Sequence, residues 1–135
     1  MDRAAIVTCL RGALQGAPLR LAILFGSAAR GRLRVDSDLD LAILPRDPAW
    51  PLAAELRLEA DLSRACGREV QIVRIDRADT LLSWQIARHG VLVTADPPTE
   101  YPGFAMRAAA EYLDAEPALL AAGRLYARRL AGAAP

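Results

Sequence analysis

The sequence predicts an α/β domain of the α+β type: a small mixed sheet that carries the functional residues, with helices on one side of it and a helical tail. Two observations lead there. Three short aliphatic runs, "LRLAILF" (19–25), "DLDLAIL" (38–44) and "EVQIVRI" (69–75), have the length and residue types of buried strands. Around them lie longer segments whose apolar residues recur every three or four positions, as in helices with one buried face. With 135 residues, 53% of them apolar, the chain can build one well-filled core but not two.

In order, Ile6, Cys9, Leu10, Ala13 and Leu14 recur at helical spacing over the first 15 residues, and "GAP" (16–18) stops that helix. Strand one (19–25) runs into "GSAARGRLRVDS" (26–37), a loop or short helix, and strand two follows at 38–44. That connection exceeds an ordinary hairpin turn, and a long loop at such a place carries function more often than a tight turn does. "PRDPAWP" (45–51) leads into a helix that reaches Cys66, with Leu52, Leu56 and Leu62 along it and Gly67 as its stop. Strand three spans 69–75. Asp79 caps a helix that ends at His89 and Gly90, and "VLVT" (91–94) reads as a fourth strand. The rest, about 104–131, is Ala-rich and helical, with Pro117 marking a break or a fresh start. The order is α-β-β-α-β-α-β-α, with residues 1–100 as the core and 101–135 as a helical extension that packs on the core or on a partner.

Composition excludes several function classes. A net charge of +1 gives no general attraction to nucleic acid or to an acidic membrane, and a polymerase would need a basic template groove. No apolar run is long enough to span a bilayer. The first residues lack the basic flank and apolar block of an export signal, so a cytoplasmic protein is expected. Cys9 and Cys66 both sit in helical patterns and read as free core thiols, not as a disulfide framework or a zinc cluster.

The chemistry is concentrated in "LFGSAARGRLRVDSDLDLAIL". Side chains alternate across a strand, so Asp38 and Asp40 face one way and Leu39, Leu41 and Ile43 the other. Two carboxylates about 6.5–7 Å apart along a strand repel each other unless a cation lies between them. Mg²⁺ suits that place, because it accepts carboxylate oxygens and completes its shell with water and phosphate. Gly26 and Ser27, directly after strand one, offer close backbone approach and a hydroxyl donor for phosphate. Arg30, Arg32 and Arg34 add positive charge, with Arg30 the preferred phosphate contact. An anion cradle and a cation clamp within fifteen residues describe a site for a metal-bound nucleoside triphosphate.

This signature resembles that of the nucleotidyltransferases related to DNA polymerase β, and more narrowly the minimal nucleotidyltransferases. "GREVQIVRIDRADTLLSWQIARHGVLV" (67–93) and "EYLDAEP" (111–117) are similar to the branch that acts as antitoxin to a HEPN-domain ribonuclease toxin. The resemblance implies that Asp38 and Asp40 bind Mg²⁺ and that Gly26 and Ser27 hold the triphosphate; Arg30 and Ser37, beside them in sequence, are the further nucleotide-binding candidates. It further implies transfer of AMP from ATP to a tyrosine of the toxin, in a hetero-oligomer with it. The alternatives are an antitoxin that neutralises by binding alone and a transferase with a small-molecule acceptor. Relatives that use two metals place a third carboxylate on the next core strand, where this chain offers Gln71; Glu69, on the same face, and Asp76 or Asp79 are the substitutes.

Other polar and aromatic residues have ordinary readings. His89 and Arg88 suit a helix C-terminus. Asp36 and Ser37 suit turn formation. Trp50 and Trp84 read as packing residues. Tyr101, Tyr112 and Tyr126 pack or belong to a partner surface.

Overall fold

The computed structural model of the chain describes residues 2–31 and 37–133. Its helices are α1 (Arg3–Ala13), α2 (Leu52–Cys66), α3 (Thr80–His89) and α4 (Glu100–Ala133). The strands are β1 (Leu19–Phe25), β2 (Leu39–Pro45), β3 (Val70–Arg74) and β4 (Val91–Ala95). They form one sheet in the order β3-β2-β1-β4, mixed as expected. β1 pairs antiparallel with β2 and with β4, and β2 pairs parallel with β3.

The helices lie on both faces of the sheet, not on one. Leu39, Leu41 and Ile43 of β2, with Ala22 and Leu24 of β1, pack against Ile6 and Leu10 of α1 and Leu62 and Cys66 of α2. The opposite face, through Leu21, Ile23 and Ala42, meets Ile86 of α3 and Phe104 and Ala108 of α4. The reason is in the strands. β1 is apolar at nearly every position, so both its faces must be covered, whereas a sheet with one wet face would alternate. α3 must also cross the sheet to bring β4 to the far edge.

Local signals set most boundaries. The Asp2 carboxylate accepts from the Ala5 N–H at 2.8 Å and starts α1. The Asp79 carboxylate accepts from the Leu82 N–H at 2.8 Å and starts α3. Gly67 ends α2 at φ +64°, a conformation that favours glycine. Gly90 ends α3 for a different reason: its φ is −71°, but a Cβ there would lie 2.4 Å from Cγ2 of Ile23. Glycine is needed so that α3 can touch β1.

α2 buries Leu62 and Cys66, while Leu52 and Leu56 are exposed, so the stripe is set by the end of the helix that meets α1 and β3. Two expectations change, both in α4. α4 begins at Glu100 and runs unbroken through Pro117. A proline costs a helix one hydrogen bond but does not forbid it where neighbouring turns hold the geometry. The thiols of Cys9 and Cys66 are free, as read, and lie 3.0 Å apart where α1 meets α2.

Candidate active site

β2 enters the sheet beside β1 and β3 at the end where Asp38 and Asp40 stand. The Leu39 N–H donates to the Glu69 carbonyl at 2.8 Å, which fixes the register at the first residue of the strand. Leu39 is fully buried toward α1 and α2, so its neighbours Asp38 and Asp40 turn to the opposite face, as the alternation requires. Asp40 has Phe25 opposite it on β1 and Gln71 beside it on β3. Asp38 is exposed and Asp40 half-buried.

One residue past Phe25 the chain turns at Gly26, with φ +74°. A Cβ at that position would lie 2.5 Å from the Asp40 carboxylate oxygen Oδ2. Both facts demand glycine: the dihedral disfavours an L side chain, and the space is already filled by the carboxylate. The turn backbone and the acid are therefore in direct contact, and a ligand held by one must touch the other.

Burial raises the Asp40 pKa above its ordinary value, and the Asp38 charge raises it further. Among the described residues neither acid has a protein cation as partner. Nor do the described residues hold a cluster of three acidic, histidine or cysteine ligands. Two hard carboxylates, mutually repelling and aimed at one space beside a glycine turn, fit a small divalent cation whose other ligands come from water or from a bound nucleotide.

The turn continues to Gly31 without becoming a helix. Ala28 and Ala29 are buried, and Nη1 of Arg3 donates to the Ala29 carbonyl at 2.9 Å. The Arg30 N–H donates to the Gly26 carbonyl at 3.3 Å. The two alanines pin the turn to the core, which leaves Ser27 and Arg30 exposed. Ser37 is half-buried immediately before Asp38. Arg32, Arg34 and Asp36 lie outside the described residues.

The candidates for a third ligand separate clearly. Gln71 is in register with Asp40, as its parity implies, and is a neutral amide. Glu69 is exposed, one residue before β3. Asp76 and Asp79 do not reach in. Asp79 caps α3. Asp76 receives two hydrogen bonds from Arg74, from Nε at 2.9 Å and from Nη2 at 2.7 Å. That guanidinium also donates to the Pro48 and Trp50 carbonyls, at 3.1 and 3.4 Å, and so ties down the Pro-rich connection ahead of α2. Arg74 was not singled out from the sequence. An arginine inside an apolar strand with an acid two residues later is the signal that could have found it.

A second feature is a stack on the face that carries the acids. Trp84 of α3 lies parallel to Tyr112 of α4, with ring centroids 4.9 Å apart, and Arg88 sits over the Trp84 ring at 6.0 Å. Trp50 packs against the other core. Both tryptophans are thus packing residues, as expected, and His89 is exposed at the end of α3.

Comparisons with known proteins agree with this geometry. The family model described as "Polymerase beta, Nucleotidyltransferase" matches residues 13–98, which include every strand and both acids. A toxin–antitoxin structure with AMP-PNP is similar at 26% identity and a TM-score of 0.70, over 93% of this chain and 99% of that one. The Shewanella oneidensis complex of a tri-AMPylated HEPN toxin with its MNT antitoxin is similar at 25% identity and a TM-score of 0.63, over 91% of this chain and 95% of that one. A minimal nucleotidyltransferase is similar at 29% identity and a TM-score of 0.55, over 67% of this chain and 95% of that one. Curated protein sequences give no match.

Proposed function

Since the chain belongs to the polymerase β nucleotidyltransferase family, we propose that it is an antitoxin that transfers AMP from Mg²⁺-ATP to a tyrosine of a cognate HEPN ribonuclease toxin, in the cytoplasm where both would be made. The observation that carries the reading is the contact between the Gly26 turn and the Asp40 carboxylate, with Asp38 beside it. In this reading Asp38 and Asp40 hold Mg²⁺, and Gly26, Ser27, Arg30 and Ser37 hold the nucleotide. Bound there, Mg²⁺ supplies positive charge that neutralises and orients the triphosphate.

The chain's own part is positioning. Backbone at the Gly26 turn and the Ser27 hydroxyl cradle phosphate, and Arg30 offers a fixed charge at its edge. The bond formed joins the tyrosine oxygen to the α-phosphorus, and the bond broken releases pyrophosphate. The hydroxyl proton must also leave. Gln71, in register with Asp40, is an amide and does not serve as a base, so the proton passes to solvent water. Turnover is therefore slow, which suffices for an enzyme that modifies each partner molecule only a few times.

The same Gln71 supports a second reading, an antitoxin that neutralises by binding alone. The two separate on one experiment. Chain and toxin are incubated with labelled ATP and Mg²⁺, and label is followed on the toxin beside its ribonuclease activity. Asp38→Ala with Asp40→Ala is expected to reduce labelling at least about a thousandfold, as loss of the main electrostatic positioning does. Normal labelling by the double mutant would overturn the mechanism. Full neutralisation without ATP would favour the binding reading.

A further inference from the structure

α4 carries an apolar stripe along its whole length, and Leu113, Leu120 and Leu125 are exposed away from it. Tyr101, Phe104, Ala108, Tyr112, Ala115, Leu119, Ala122, Tyr126 and Leu130 follow one another at steps of three or four residues, the period of an α-helix. The first part of the stripe is covered. Phe104 and Ala108 belong to the core, Tyr101 packs against it, and Tyr112 stacks on Trp84. Beyond that point the domain ends while the stripe goes on. Leu119, Tyr126 and Leu130 are 37%, 64% and 57% exposed on an arm about 24 Å long from Ala115 to Leu130. No charged residue interrupts the stripe; beyond Glu116 the arm has no acid, and of its three arginines Arg129 borders the stripe while Arg124 and Arg128 lie on the opposite side of the helix. A solvated helix would be polar all round. This one repeats, on its free half, the pattern that buries its first half.

The comparisons indicate the occupant. The chain solved in a toxin–antitoxin structure matches 93% of this one, so the unmatched part is too short to omit more than a fraction of the 34-residue α4. The minimal nucleotidyltransferase, itself covered over 95%, matches only 67% of this chain. A second neighbour, matched over 91% of this chain, was solved as an MNT antitoxin in complex with its HEPN toxin. An enzyme whose acceptor is a protein side chain must also hold that protein at the site long enough for a slow step.

We infer that the free half of α4, through Leu119, Tyr126 and Leu130, is the docking surface for the protein acceptor, which presents an apolar groove. The inference rests on the reading of the chain as an antitoxin acting on a protein. Its chemistry separates from that of the site: the arm supplies affinity for the acceptor and touches neither nucleotide nor acids.

The test uses the full chain and the protein encoded next to it, purified separately. In the variant Leu119→Glu, Tyr126→Glu, Leu130→Glu all three changed side chains are already exposed, so the melting temperature is expected to hold. Binding without nucleotide is expected to weaken about a hundredfold. KM for the acceptor should rise in step, with KM for ATP and kcat at saturating acceptor unchanged. Unchanged binding by the triple-Glu variant overturns the inference. So does a wild-type chain that sediments alone as a dimer and becomes a monomer in the variant, since the occupant is then a second copy. Arm-dependent binding with no AMP transfer by the wild type overturns the AMP-transfer reading and leaves the docking surface standing.

Discussion

The two ends of the β2–β3 pair hold acids in opposite circumstances. At one end Asp38 and Asp40 stand together with no protein cation among the described residues, and the pKa of Asp40 is raised by burial and by its neighbour. At the other, Asp76 meets a buried arginine in two hydrogen bonds, and its pKa is lowered chiefly by those bonds. An acid whose counter-charge the chain itself provides serves the fold. An acid left without one costs the empty fold stability, and that cost is recovered only when something positive arrives. The same residue type thus serves architecture at one end and, under the proposed function, metal binding at the other, and the difference lies in the partner.

The largest effect should come from the paired end. Arg74→Leu leaves Asp76 without its cation and the Pro48 and Trp50 carbonyls without a donor. A loss of about 2–3 kcal/mol is expected in urea unfolding, below the figure for a fully buried pair because Asp76 is 26% exposed. AMP transfer by the folded fraction, measured in the cold, should survive. If stability is unchanged, the contrast between the two ends fails.

Gly26→Ala strikes both properties at once. The positive φ and the 2.5 Å approach to Oδ2 of Asp40 predict a loss of about 1–2 kcal/mol and a raised KM for ATP. A normal KM would mean that the turn does not hold the nucleotide.

The smallest and most discriminating change is Asp40→Asn. The raised pKa means that the folded state takes up a proton more readily than the unfolded state. The cost is therefore present at neutral pH and disappears as pH falls toward the ordinary value of 3.8. The variant should melt higher than the parent at pH 7 without Mg²⁺, and the gap should close near pH 4. Mg²⁺ with ATP should raise the parent's melting temperature and not the variant's. Asp76 runs the other way. Its lowered pKa contributes stability above 3.8 that is lost as pH falls through the folded value. A lower melting temperature for Asp40→Asn at pH 7 would show that the acid has a protein partner after all.

Much of this was legible beforehand because the signals are local. Alternation along "DLDLAIL" placed the acids on one face, Asp79 and Gly67 set helix ends, and the Gly-Ser turn stood beside the acids, as found. The failures were not local. Helical spacing along α2 did not show that Leu62 is buried while Leu52 and Leu56 are exposed, since only neighbours decide which side of a helix is covered. Pro117 lies inside a helix because the turns around it hold. Asp76 was a candidate ligand until Arg74 was seen to hold it.

The sequence by itself determined the strands, their parity and the pairing of two acids with a glycine turn, because side-chain alternation and backbone freedom are properties of short stretches. The tertiary structure alone decided that helices cover both faces, that the Asp40 carboxylate fills the space at Gly26, that Asp76 is spent on Arg74, and that the α4 stripe outruns the domain. Each of these depends on contacts between residues far apart in the chain, and the charge or surface a residue meets there is written in no single segment.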